Sequence, residues 1–331
     1  MKSSVKRQVK TLNDRVWALI VICAAMHAGA FAQHYPVKPI RLIAPFPAGG
    51  SSDLIARILA NRMSEGLSQQ IIVDNRPGAG SNLGTQLAAR AAPDGYTVLL
   101  TGVPAAINMT LYQKPGFDLL KDFAPITMLA IGPTALVVHP SVPARSVQQL
   151  IKLAQSRPGE LNYGSGGNGT PSHICGEMLR YMAKIKIAHV PYKGTGQSIT
   201  DLMAGQIQIV FASMPVVFPH MKTGKMRTLG VTGAKRTPLA PDLPTMAESG
   251  LPGYAFDSWW GFVTNAGVAP AMINTLNAET RRALQLPDVK DRFADLGIDI
   301  VHGTPAELAA FTRSEIDRFA KIIRETGIRA D

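Results

Sequence analysis

The chain has 331 residues, 46% of them hydrophobic, and a formal net charge of +11. Its charges are scattered, with no basic run interleaved with aromatics, so a nucleic-acid-binding stripe is excluded. No apolar stretch reaches the roughly eighteen residues that a membrane helix needs.

The N-terminus reads as a processing segment. Lys2, Lys6, Arg7, Lys10 and Arg15 form a basic region, Val16 to Ala25 a short apolar run, and Ala30-Phe31-Ala32 a small-residue cleavage site. Residues 1–32 are therefore expected to be a signal peptide cleaved before Gln33, which makes the chain an exported, periplasmic protein. Removing them leaves about 300 residues, enough for two ordinary domains. The mild basicity that remains favours an anionic small ligand. Cys23 departs with the leader and Cys175 is left alone, so no internal disulfide forms. Cys175 sits in an apolar helical pattern and reads as a buried, inert thiol.

From Arg41 an apolar strand enters a loop of small residues, and Ser51 or Ser52 caps a helix. Leu54, Ile55, Ile58, Leu59 and Met63 share one face of that helix, and Gly66 is its expected end. Gln70 to Asp74 is a β-branched strand and Asn75 to Gly80 a turn. A small helix runs from about Asn82 to Ala92, stopped by Pro93, and Tyr96 to Leu100 is the next strand. After an irregular stretch around Gly116 to Pro125, Ala135 to His139 is a strand and Ser146 caps a helix. Leu161 to Gly164, Ile187 to Pro191, Ile207 to Phe211 and Arg227 to Thr232 are further strands. Thr170 and Pro171 open a helix as N-cap and first residue. The proline-rich connector Thr237 to Pro252 leads to a strand at Phe256 to Val263, and helices follow near Ala271 to Leu286 and Pro305 to Thr326. This alternation predicts a parallel α/β sheet.

Two segments share one grammar of strand, glycine loop and helix start: Arg41 through Asp53, and Leu161 through His173. Free N–H groups and the positive end of the helix dipole make such a junction an anion cradle. One cradle in each half of the chain suggests a cleft that grips a small carboxylate from both sides. Gly164, Gly166 and Gly169 also match a dinucleotide fingerprint, but the segment Lys184 to His189 lacks the acid that such a site needs. Asp53 and His173 each admit two readings, shaping a loop at a helix start or facing the ligand. Lys193 is either a charge for an anionic ligand or a solvated turn lysine. Trp259 and Trp260 alternate across their strand, with packing expected for both. Ser165 lacks a nucleophile elbow, and the histidines lack ligand spacing, so no catalytic group, metal or cofactor is indicated.

The chain resembles the solute receptors of tripartite tricarboxylate transporters, often called the Bug family, over essentially all of its mature length. The resemblance rests on Tyr35 to Ile40, Pro45 to Asp53, Asp74 to Gly80, Pro93 to Thr97 and Lys121 to Pro125. It continues through Pro158 to Gly167 with His173, Val190 to Gly194, Pro241 to Thr245, Glu248 to Gly250, and Trp260-Gly261. It implies a type II-like periplasmic binding protein fold, with two α/β lobes around a ligand cleft and two crossing segments. Lobe 1 would comprise residues 33–138 and about 236–331, and lobe 2 about 139–235. The implied function is capture of a small organic carboxylate, such as a di- or tricarboxylate, an aromatic acid or an acidic amino acid, for a membrane permease. Such a receptor is a monomer and not an enzyme, and it uses no cofactor. A sensor adaptor and a cleft hydrolase or lyase remain the alternative readings. Carried over, the ligand positions are Phe46, Ala48, Gly49, Gly50, Ser51, Asp53 and Asn82 in the first lobe. In the second they are Ser165, Gly166, Gly169, Thr170, His173, Tyr192 and Lys193. Gln197-Ser198, Cys175 and Pro104-Ala105 depart from the family pattern and bear on selectivity.

Overall fold

The computed structural model describes residues 35–221 and 223–329. The expected leader and its cleavage site lie outside the described residues. Of the described residues, those from 38 to 329 belong to one compact unit.

That unit is organised by a curled mixed sheet. Its first half contains β1 (Ile40–Ala44), β2 (Ile71–Asn75) and β3 (Thr97–Gly102), all parallel, in the order β2-β1-β3. β1 is buried along its length except at Arg41, whose Nε donates to Asp74 on β2 at 2.8 Å. Helices α1 (Ser51–Leu67), α2 (Asn82–Ala89) and α3 (Val103–Leu111) follow these strands in turn. The second half contains β5 (Asn162–Ser165), β6 (Ala188–Pro191) and β7 (Ile209–Ser213), also parallel, in the order β7-β5-β6. Its helices are α4 (Val147–Ser156), α5 (Pro171–Ala183), α6 (Thr195–Met203) and the short α7 (Met214–Val217).

Two antiparallel strands join the halves, and here the expectation of a parallel sheet is corrected. β4 (Phe123–Val138) is a single strand of 16 residues. It pairs with β9 (Asp257–Asn265) through Pro133, then with β7 and β8 (Arg227–Val231) from Thr134 onward. β9 also pairs antiparallel with β3. Antiparallel pairing is available because β9 arrives through the irregular segment 232–256 and not through the helical crossover that a parallel neighbour requires. In the sequence, only Ala135 to His139 of β4 reads as strand, because Pro125 and Pro133 interrupt the pattern. The ladder accommodates Pro125 at a register shift between Pro125 and Thr127, one of the places a sheet tolerates proline.

The chain returns to the first half as α8 (Pro270–Gln285), α9 (Pro287–Asp295), β10 (Asp299–Ile300) and α10 (Pro305–Thr326). α10 opens with a capping box between Thr304 and Glu307 and ends at Gly327 in the left-handed region. Trp259 donates its indole N–H to the buried Glu315 on α10 at 3.0 Å, which ties this helix to β9. Four helices lie outside the sequence expectation, the short α7 among them. α3 is buried on nearly every side and so lacks an amphipathic period, α6 starts in a glycine-rich turn, and α9 is separated from α8 only by Leu286.

The return crossing is pinned by Thr232. Its Oγ1 donates to the carbonyls of Phe256 (2.7 Å) and Thr134 (3.0 Å) and accepts from the Thr134 N–H (2.9 Å). The residue is fully buried. Thr232→Val keeps the shape and removes the hydroxyl partner of the Thr134 N–H and the Phe256 carbonyl, while the Thr134 carbonyl keeps the Thr232 N–H. A loss of about 1–3 kcal/mol is therefore expected in urea unfolding. Thr228→Val is the control: the buried Thr228 Oγ1 has no hydrogen-bond partner among the described residues, so its removal is expected to leave stability unchanged or raise it.

Candidate functional site

The carboxyl ends of both parallel strand sets open onto one cavity of about 840 Å³. This is the usual position for a ligand in α/β sheets, and the volume lies within the range of small-molecule pockets. The first half contributes the loop 45–50 after β1, the turn 77–81 after β2, and Gly102 at the end of β3. The second half contributes the loop 166–170 after β5, the turn 192–194 after β6, and Ser213 at the end of β7.

The halves meet directly around this cavity. A Cβ on Gly80 would lie 2.4 Å from the Asn168 carbonyl oxygen, and one on Gly194 would lie 3.0 Å from Pro47 Cγ. Both approaches depend on the missing side chain, and both glycines have positive φ. Ser213 Oγ donates to Ser51 Oγ at 3.1 Å, and Trp260 Nε1 donates to Ser52 Oγ at 2.9 Å.

Besides the four-residue α7, whose N-cap Ser213 also lines the wall, five helices point their N-termini at the cavity. The N-cap residues of α1, α2, α3, α5 and α6 are Gly50, Ser81, Gly102, Thr170 and Gly194, and all five line the wall. None of these ends receives a side-chain cap hydrogen bond. Among the helices that start away from the cavity, α4 and α10 are capped by Ser146 and Thr304, whereas α8 and α9, with N-caps Ala269 and Leu286, have no side-chain cap. Uncapped first-turn N–H groups and converging helix dipoles create a positive potential. Lys193 is the one ionic side chain among the described lining residues, and no carboxylate lies among them. The remainder of the wall is largely apolar, including Phe46, Phe211, Val216 and Trp260.

Of the residues singled out in the sequence, Phe46, Ala48, Gly49, Gly50, Ser51, Gly166, Thr170, Tyr192 and Lys193 line the cavity. Asp53, Asn82, Ser165, Gly169 and His173 do not; they are hydrogen-bonded behind the wall. Asp53 accepts from the Gly49 N–H (2.9 Å), Arg57 (3.0 Å) and Asn75 (2.9 Å), and Asn75 also donates to the Phe46 carbonyl. Burial alone would raise the Asp53 carboxyl, but these donors hold it below the ordinary value. Asp53 therefore shapes the first loop. Asn82 accepts from Asn108, which also donates to the Gly80 carbonyl.

The second loop is held from behind by a histidine pair. His173 Nδ1 accepts from the Gly169 N–H at 3.2 Å, and its ring stacks on His189 at 4.3 Å. His189 shares a 2.6 Å hydrogen bond with Ser165 Oγ and stacks on Tyr163. The amides of Gly49, Gly166, Gly167 and Gly169 thus already have partners inside their own loops, at Asp53, Ser172, Ser165 and His173. The donors left open to an anion are the first turns of the helices. Sequence reasoning passed over Phe211, Ser213, Ser258 and the N-caps Ser81 and Gly102, but placed the turn that contains Gly194 at the cleft edge, where it lines the cavity.

Burial pushes both histidines down. His189, further lowered by repulsion from His173, falls to about 4. Between that value and the ordinary 6.5 the unfolded chain binds more protons than the folded one, so stability is full above pH 6.5 and falls as pH drops below it. Urea unfolding of the unliganded protein from pH 7.5 to 5 is expected to show this decline, and His189→Gln is expected to flatten it.

A family model described as "Tripartite tricarboxylate transporter family receptor" matches residues 55–328. Protein BugT of Bordetella pertussis is 34% identical over 316 residues, covering 95% of this chain and 97% of BugT. Among solved structures, R. palustris Rpa4515 with adipate is 33% identical with a TM-score of 0.86, covering 89% of this chain and 99% of the other. MatC from Rhodopseudomonas palustris with bound malate is 29% identical with a TM-score of 0.83, covering 87% and 100%. The matched span, the identity and the shared fold show that this chain belongs to the tripartite tricarboxylate transporter receptors.

Proposed function

We propose that this chain is an exported receptor that binds a small organic carboxylate in the cavity between its half-sheets and delivers it to a membrane permease. The observation that carries this reading is the convergence of five uncapped helix N-termini on a wall without a carboxylate. Such a wall attracts a negative guest without matching one particular acid. The apolar area from Phe46, Phe211 and Trp260 suits the hydrocarbon body of that guest. The bound adipate and malate of the two related structures belong to the same chemical class.

In this reading the half-sheets act as lobes that close on the ligand. The contacts of Gly80 with Asn168 and of Gly194 with Pro47 would be kept in the closed state, and ligand binding would shift the population toward it. Cleavage before Gln33 would release a periplasmic monomer. Phe46, Ala48, Gly50, Ser51, Thr170, Tyr192 and Lys193 would touch the acid, while Asp53, Asn82, Ser165 and His173 would hold the loops in shape. Nothing in the site calls for turnover, so the acid would be released unchanged.

Thermal shift against mono-, di- and tricarboxylates tests the proposal. An acid at a hundredfold over its dissociation constant is expected to stabilise the protein by about 2.7 kcal/mol. Lys193→Glu is expected to weaken that acid at least tenfold, more at low salt than at high, because the lysine lies in the exposed turn. If no carboxylate shifts the wild-type protein, or if the acid is recovered chemically altered, the proposal fails.

A further inference from the structure

The turn between β2 and α2 has an unusual backbone. Four consecutive residues have positive φ: Gly78 (135°), Ala79 (47°), Gly80 (59°) and Ser81 (83°). Two of them are not glycine, and left-handed conformations in such residues are costly and persist only where the surroundings enforce them. Here Asn108 Nδ2 holds the Gly80 carbonyl at 2.8 Å, and the missing Gly80 side chain admits the Asn168 backbone from the other half. Strain of this kind concentrates at ligand clamps.

Ser81 gives the strain a purpose. A serine at an N-cap normally adopts extended backbone and turns its hydroxyl back onto the helix amides. At φ 83° Ser81 makes no cap hydrogen bond. It lines the cavity, its side chain is 4% exposed, and its Oγ has no hydrogen-bond partner among the described residues. A buried hydroxyl without a partner is destabilising. Of the buried side-chain atoms without a partner among the described residues, only that of Ser81 belongs to a residue lining this cavity. The neighbouring wall residues Ser51, Ser52 and Ser213 all have hydroxyl partners.

We infer that Ser81 is a ligand-binding residue, whose hydroxyl donates to a carboxylate oxygen of the bound acid, and that the left-handed turn exists to present it. The inference rests on the receptor reading above and adds a side-chain hydroxyl to the helix starts as a gripping group. Ser81 then serves binding at the expense of the empty protein, whereas a structural serine would do the reverse.

The experiment uses the mature protein and the acid that gives the largest thermal shift in a panel including malate and adipate. Titration calorimetry is expected to show its dissociation constant rising about tenfold or more in Ser81→Ala, the effect of losing one hydrogen bond to a charged group. Unliganded melting is expected to stay constant or rise, because the orphan hydroxyl is gone. Ser81→Gly, which also relieves the left-handed strain, is expected to weaken binding equally while melting no lower than wild type. A constant within twofold of wild type in both variants, with Lys193→Glu still impaired, overturns the role of Ser81 and leaves the receptor reading intact. Lowered melting with unchanged affinity likewise overturns it in favour of a structural role. If no acid shifts the wild-type protein, the receptor reading fails and this inference fails with it.

Discussion

The cavity depends on β4 remaining one strand while its neighbours change. Through Pro133 it is a partner of β9, and from Thr134 it is a partner of β7 and β8. That exchange bends one ladder into two half-sheets and turns both sets of parallel strand ends toward a common space. Thr232 secures the second passage by tying Thr134 to Phe256 through its main chain and its hydroxyl together. Because both passages are fixed by backbone pairing, the loops at the strand ends vary without loss of the frame that aims them.

The chemistry of the cavity belongs chiefly to the main chain. Helix starts provide positive potential in fixed directions, and apolar side chains provide surface. Polar side chains that looked like ligand contacts serve one layer further back. Asp53 occupies the Gly49 amide, and His173 occupies that of Gly169. An ionised acid directly in the wall would repel an anionic guest, whereas the same acid behind the loop fixes its shape and is itself neutralised by Arg57. The neutral histidine pair meets the same requirement in the second half, since it supplies hydrogen bonds without a buried charge.

The repeated strand, glycine loop and helix start was visible in the residues, as were the helix at Pro305–Thr326 and the capping of Ser146. Those features are local and follow from periodicity, cap chemistry and proline placement. α3 was not visible, because a helix buried all round carries no period. The first part of β4 was hidden by Pro125, which a register shift accommodates. Ser81 was passed over because its residue type at a helix start has an ordinary explanation, which its backbone angle removes.

By itself the sequence determined the local segments, the two anion-cradle junctions and the family to which their order corresponds. The tertiary structure alone decided which groups face the cavity. Whether an amide or hydroxyl is open or occupied depends on partners distant in the chain, such as Asn75 for Asp53, Asn168 for Gly80 and His189 for Ser165. Hydrogen bonding and close approach are relations between surfaces, and those surfaces come together only when β4 carries the chain from one half-sheet to the other.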